Sequence, residues 1–256
     1  MCTSVIFFKK DSDWPVIIAS NRDELLTRES QFPKRHWPIE YPNIVGGLDE
    51  KKNGTWLAIN DSQIVAIIHN RRLEKKNDLE KISRGRIILE ILKHESMKNV
   101  LKSLKNLNNE KYEGFNILIA DKNNCYWAKH VSADKKIEIF DIPEGISILT
   151  DADLNNKKNK KINYYLKKFS QVSLPNPTNN NWISWELMMS MDYIDNQKSI
   201  NESICFYDKL NKFGTKSSAF IALPNIYGHK NIRILPIFKA TKKSPKNDNY
   251  KNIDLF

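Results

Sequence analysis

Apolar positions in this chain fall in short runs that come in pairs. Residues 5–8 and 16–19 flank the turn-like Asp11-Ser12-Asp13, and residues 56–59 and 64–68 flank Asn60-Asp61-Ser62. The arrangement repeats at 115–120 and 125–129 around residues 121–124, then at 137–140 and 146–149 around Pro143-Glu144-Gly145. Short β-favouring runs separated by a few turn formers predict antiparallel hairpins. Between them the period changes. Ile87, Ile88, Ile91 and Leu92 share one helical face, and Val100, Leu101 and Leu104 form a second, shorter one. Further helices are expected at about 157–169 and, after the break Leu174-Pro175-Asn176-Pro177, at 182–191. Strands resume at 219–223 and 232–238. Hairpins with helices inserted as blocks predict an α+β fold rather than alternating βαβ units.

Composition narrows the picture. A chain of 256 residues, 40% hydrophobic, can bury one substantial core, so a single domain over 1–240 is expected, followed by a polar, mobile tail over 241–256. The apolar run behind Met1 ends at Lys9-Lys10, too short for a secretory signal, and no stretch approaches the length of a transmembrane segment. Cys2, Cys125 and Cys205 are widely separated and odd in number, which indicates neither a disulfide framework nor a zinc site and suits a reducing cytoplasmic setting. The net charge of +11 draws on Lys157, Lys158, Lys160, Lys161, Lys167 and Lys168. Without a P-loop, an RNP-type signature or zinc-finger spacing, this cluster is read as a solvated lysine-rich face, and no specific nucleic-acid partner is expected. The run from Asp151 begins like a calcium loop but has Asn156 where the loop needs glycine.

Candidate chemistry begins at Cys2. Methionine is cleaved when the next side chain is small, so removal of Met1 would place a thiol and a free α-amine on one residue. With ordinary pKa values near 8 and 8.5, that amine can act as base on its own thiol. Further along, the apolar strand at 16–19 ends in Asn21-Arg22-Asp23-Glu24. A solvated turn explains four polar residues there on pattern alone. Beside Cys2, however, Arg22 could hold a thiolate and Asp23 could orient an α-ammonium.

The tetrapeptide Asn21 to Glu24 also carries a resemblance to the NRDE proteins, the transport and Golgi organisation protein 2-like family. The similarity continues through Gly46-Gly47-Leu48-Asp49, Asn53-Gly54-Thr55-Trp56-Leu57-Ala58, His69-Asn70-Arg71, Ser83-Arg84-Gly85, Gly114-Phe115-Asn116 and Gly214-Thr215-Lys216-Ser217-Ser218, covering nearly the whole chain. That family in turn resembles the cysteine N-terminal-nucleophile (Ntn) hydrolases, including choloylglycine hydrolases and penicillin acylases. The resemblance implies a four-layer αββα sandwich with two antiparallel sheets.

It also implies roles. Cys2 is the nucleophile, Arg22 and Asp23 hold it, and Asn70 steadies the oxyanion; Asn21, Asp151 and Lys216 are the substrate-binding positions. Two of these depart from the related pattern. Asp151 stands where bile-salt hydrolases have an asparagine, and an ionised carboxylate cannot donate a hydrogen bond. Lys216 replaces a family arginine, which keeps the charge and loses the planar fork. Two functions are expected as alternatives: a cysteine amidohydrolase or acyltransferase on a small acyl amide, ester or thioester, or a binding protein for haem or lipid metabolites. No cofactor is required by the first. Haem would be a transported ligand in the second, although His36, His69, His94, His130 and His229 stand in no haem-attachment motif. Gly46, Gly47 and Gly54 are expected to be structural, through positive φ or close backbone approach.

Overall fold

The computed structural model describes residues 2–192, 202–225 and 234–255. In chain order the elements are β1 (Thr3–Phe8), β2 (Val16–Leu25), β3 (Ser30–Lys34), β4 (Ile44–Asp49), β5 (Leu57–Asn60), β6 (Val65–Asn70), α1 (Gly85–Leu92) and α2 (Met97–Lys105). Then follow β7 (Phe115–Ala120), β8 (Cys125–His130), β9 (Glu138–Asp141), β10 (Gly145–Leu149), α3 (Lys160–Gln171), α4 (Ile183–Met189), β11 (Tyr207–Asp208), β12 (Phe213–Leu223), β13 (Ile237–Ala240) and β14 (Lys251–Asn252). His229, and the start of the strand expected at 232, lie outside the described residues.

The chain divides into two compact units, Met1–Thr27 with Pro143–Ile253, and Arg28–Ile142 with Asp254–Phe256. In the first, an antiparallel sheet runs β10-β1-β2-β12-β13-β14, with β11 paired to β12. Alternation along its strands directs Val5, Ile17, Ala19, Ile148, Phe220 and Ala222 to one face, where they pack with Ile162, Tyr165 and Phe169 of α3 and Trp185, Met188 and Met189 of α4. The helix faces explain themselves: Ile162, Tyr165 and Phe169 recur at three- and four-residue intervals, and Asn159 caps the helix by accepting from the Ile162 N–H at 3.1 Å.

The second unit holds an antiparallel meander, β3 to β9 in sequence order. Its α1, with Ile87, Ile88, Leu89, Ile91 and Leu92 all fully buried, covers one face together with α2. The expected hairpins β1–β2, β5–β6 and β7–β8 are present in antiparallel register. The one expected over 137–149 is not. β9 pairs with β8 and β10 pairs with β1, so the two runs part into different sheets. Pro143 and the left-handed Gly145 (φ +98) turn the chain between them, a junction whose local composition is that of a hairpin turn.

Gly46 and Gly47 lie within strand β4 rather than in a loop. Neither has positive φ; close approach is the reason for glycine. A Cβ on Gly46 would stand 2.7 Å from that of Ala58, its cross-strand partner, and one on Gly47 would enter the Trp56 indole. The segment expected as a polar tail closes the first sheet through β14, and Tyr250 donates to Ser218 Oγ at 2.7 Å while its ring packs on Phe220. Tyr250, Ile253 and Leu255 are too sparse among lysines and asparagines to register as a strand pattern. Among the described residues no helix is long and apolar enough to cross a membrane.

Candidate active site around Cys2

The β1–β2 register sets the site. Thr3 pairs with Asn21, so Cys2, one residue earlier, reaches the level of Arg22 and Asp23. Its Sγ accepts the backbone N–H of Asp23 at 3.2 Å, and the thiol lies 3.5 Å from the Asp23 carbonyl oxygen as a donor. Alternation puts Asn21 and Asp23 on the face that carries α3 and α4, and Ser20 and Arg22 on the other. The Asp23 carboxylate meets Thr215, its cross-strand partner on β12, whose hydroxyl donates to Oδ1 at 2.7 Å. The same hydroxyl accepts the Phe206 N–H at 3.2 Å.

Immediately after Thr215 the ladder slips, with Ser217 opposite Arg22. The bulge takes Lys216 out of register, and its Nζ donates to the Leu26 carbonyl at 3.0 Å. Asn21 is fully buried and uses its amide protons on the carbonyls of Met189 and Ile204, both at 2.9 Å. It therefore ties α4 and the Ile204 segment to β2. Asp151 follows β10, half-buried, with Oδ1 buried and without a hydrogen-bond partner among the described residues. Asn70 belongs to the second unit, where it ends β6 opposite Phe115 and is exposed.

Electrostatically, Cys2 differs from the sequence expectation. Burial, then the charge of Asp23, pushes its thiol above the usual range; the Asp23 N–H and Arg22 pull the other way and do not prevail. The resting state is the thiol, so a base is needed to use it. Cys125 and Cys205 are buried more deeply, at 2% exposure each, and burial raises both.

One participant was missed. Lys161 is 7% exposed, and burial lowers its pKa against the opposing pull of Asp23, Cys2 and Asp151. Its membership of a lysine cluster suggested a solvated position. The discriminating signal was helical period: Lys161 stands four residues before Tyr165 and eight before Phe169, on the buried face of α3. Thr215 was likewise present in a quoted motif without an assigned role. The first unit thus gathers a thiol, a backbone N–H, a carboxylate held by a hydroxyl, the Arg22 guanidinium and the buried Lys161 amine, a set suited to nucleophilic acyl transfer. Among the described residues no cluster of His, Cys, Asp and Glu could hold a metal ion.

Comparison with known proteins gives the chain a family and a fold. The family model described as Transport and Golgi organisation 2 matches residues 1–243. No curated protein matches the sequence. Among solved structures, the Caenorhabditis elegans ortholog of N-acylethanolamine-hydrolyzing acid amidase is similar with a TM-score of 0.55 at 11% identity, covering 86% of this chain and 92% of that one. The C2A mutant of conjugated bile acid hydrolase from Clostridium perfringens gives a TM-score of 0.53 at 12% identity, covering 99% and 97%. At such identities the likeness is one of fold, that of the Ntn hydrolases.

Proposed function

The chain belongs to the Transport and Golgi organisation 2 family, and from that membership and the Cys2 centre we propose that it is a cysteine acyl-transfer enzyme, cleaving a small acyl amide, ester or thioester. The observation that carries the proposal is the thiol of Cys2 against the Asp23 N–H, with the Asp23 carboxylate fixed by Thr215. The solved proteins of similar fold include, by their names, hydrolases of N-acylethanolamines and of conjugated bile acids.

In this mechanism Met1 is removed, and the α-amine of Cys2 accepts the thiol proton as Sγ attacks the acyl carbon. A carbon–sulfur bond forms, the carbonyl π electrons move to oxygen, and the tetrahedral intermediate collapses. The bond to the leaving amine, alcohol or thiol breaks, and that group takes the proton from the α-ammonium. Water then adds to the thioester, giving up its proton through the same amine. The carboxylic acid leaves and the thiol is restored. Asp23 orients the amine. Lys161 offsets the negative charge that Asp151 brings where the related hydrolases have a neutral amide. Asn70 as oxyanion donor rests on the motif His69-Asn70-Arg71 alone.

The test is intact mass of the native chain incubated with a short acyl thioester. A chain beginning at Cys2 with one added acyl group, absent in Cys2→Ala, is expected; Lys161→Met should slow its formation. Absence of any acyl-enzyme, with ligand binding retained in Cys2→Ala, would replace catalysis with carriage.

A further inference from the structure

We propose that a cavity in the first unit, bounded by Leu26, Phe206, Thr215 and the loop 242–247, is a binding site for a small molecule with a phosphate-monoester head and a short apolar body. The cavity encloses about 470 Å³, within the usual range for small-ligand pockets. Its walls divide by chemistry. Leu26, Phe206 and Tyr207 supply apolar surface, and the buried Cys205 thiol lies beside Ser244 Oγ at 3.3 Å. Lys216, Lys242, Lys243 and Lys246 supply positive charge, against one carboxylate among the described residues of the lining, Asp192, which pairs with Lys246.

The lysine loop is built rather than draped. The Asp248 carboxylate accepts the backbone N–H of Lys242 at 2.6 Å and that of Lys243 at 3.1 Å, and the Thr241 hydroxyl donates to the Lys243 carbonyl at 2.6 Å. These bonds fix the main chain from behind, so that placing an anion costs little loop ordering. Lysines present point charges rather than planar forks, which suits a tetrahedral phosphate approached from several sides. A doubly charged head answers several lysines and one aspartate better than a carboxylate does. The apolar walls give the body of the molecule a place out of water. Thr215 lines this cavity and its hydroxyl also holds Asp23, so the two sites share one residue.

Binding is measured without turnover, so its outcome is independent of whether Cys2 is catalytic. The full chain is titrated calorimetrically with octyl phosphate, octanoate and inorganic phosphate. The variant Lys242→Gln/Lys243→Gln alters two exposed side chains of the loop, and Lys157→Gln/Lys158→Gln makes the same change in net charge at two exposed positions outside the cavity lining. Saturable binding of one octyl phosphate is expected, tighter than either other probe. It should weaken at least about tenfold in the loop variant, since two charge-assisted contacts are lost, and by less than about twofold in the charge-matched control. No saturable binding, equal losses in the two variants, octanoate binding as tightly as octyl phosphate, or inorganic phosphate doing so, would each overturn the proposal.

Discussion

Thr215→Val isolates the contact on which the candidate site depends. Valine keeps the shape of threonine and removes one hydroxyl, so neither a cavity nor an overlap accompanies the change. Two bonds are lost, the 2.7 Å donation to Asp23 Oδ1 and the 3.2 Å acceptance from the Phe206 N–H. A hydrogen bond to a carboxylate contributes about 1.5–3 kcal/mol and a neutral one about 0.5–1.5 kcal/mol, so a loss of about 2–4 kcal/mol is expected. In a chain of this size each kcal/mol moves the melting temperature by about 2–4 °C, giving a fall of about 5–15 °C in a thermal scan followed by circular dichroism. Thr215→Ser retains the hydroxyl and drops a single methyl group, which costs about 1 kcal/mol. Serine should therefore sit well above valine in the same assay. Valine melting at or above serine would refute the assignment of Thr215 as the residue that holds Asp23.

Two further outcomes follow from the same geometry. Peptide-resolved alkylation should label Cys2 before the more deeply buried Cys125 and Cys205, with a rate still climbing where an ordinary thiol has levelled off, because burial and Asp23 shift its thiolate to higher pH; a plateau near neutral pH would contradict that. Gly54→Ala would put a Cβ 2.7 Å from the Gly85 backbone carbon at the start of α1, and backbone cannot swing aside, so a loss of about 1–3 kcal/mol should appear as a lower melting temperature.

What could be read from sequence was what local periodicity and turn chemistry encode. The apolar pairs gave three hairpins correctly, and Ile87, Ile88, Ile91 and Leu92 marked the buried face of α1. Strand partners chosen at long range were not legible. Nothing around Pro143 distinguishes a hairpin from a crossing between sheets, and β4 was hidden because its glycines, required by Ala58 and Trp56, are poor strand formers. Within the site, Arg22 and Asp23 were matched to Cys2 by chemistry, a cation and a carboxylate for a thiol and an amine, whereas Lys161 was lost to its own composition. Six lysines in one segment looked like a solvated surface, and only the phase of Tyr165 and Phe169 separates the buried one from the rest.

The sheet order of the first unit also bears on when the candidate site can exist. Cys2 and Asp23 are made well before their partners: β1 and β2 acquire their outer neighbours β10 and β12 only after residues 28–142 have been synthesised, and Thr215 follows Asp23 by 192 positions. The strands of the intervening segment, by contrast, pair in the order they are made and can begin to fold during translation. The surroundings of the thiol are thereby completed only once β12 has been made. A chain stalled before β12 would carry the β1–β2 hairpin and its cysteine but no hydroxyl for Asp23.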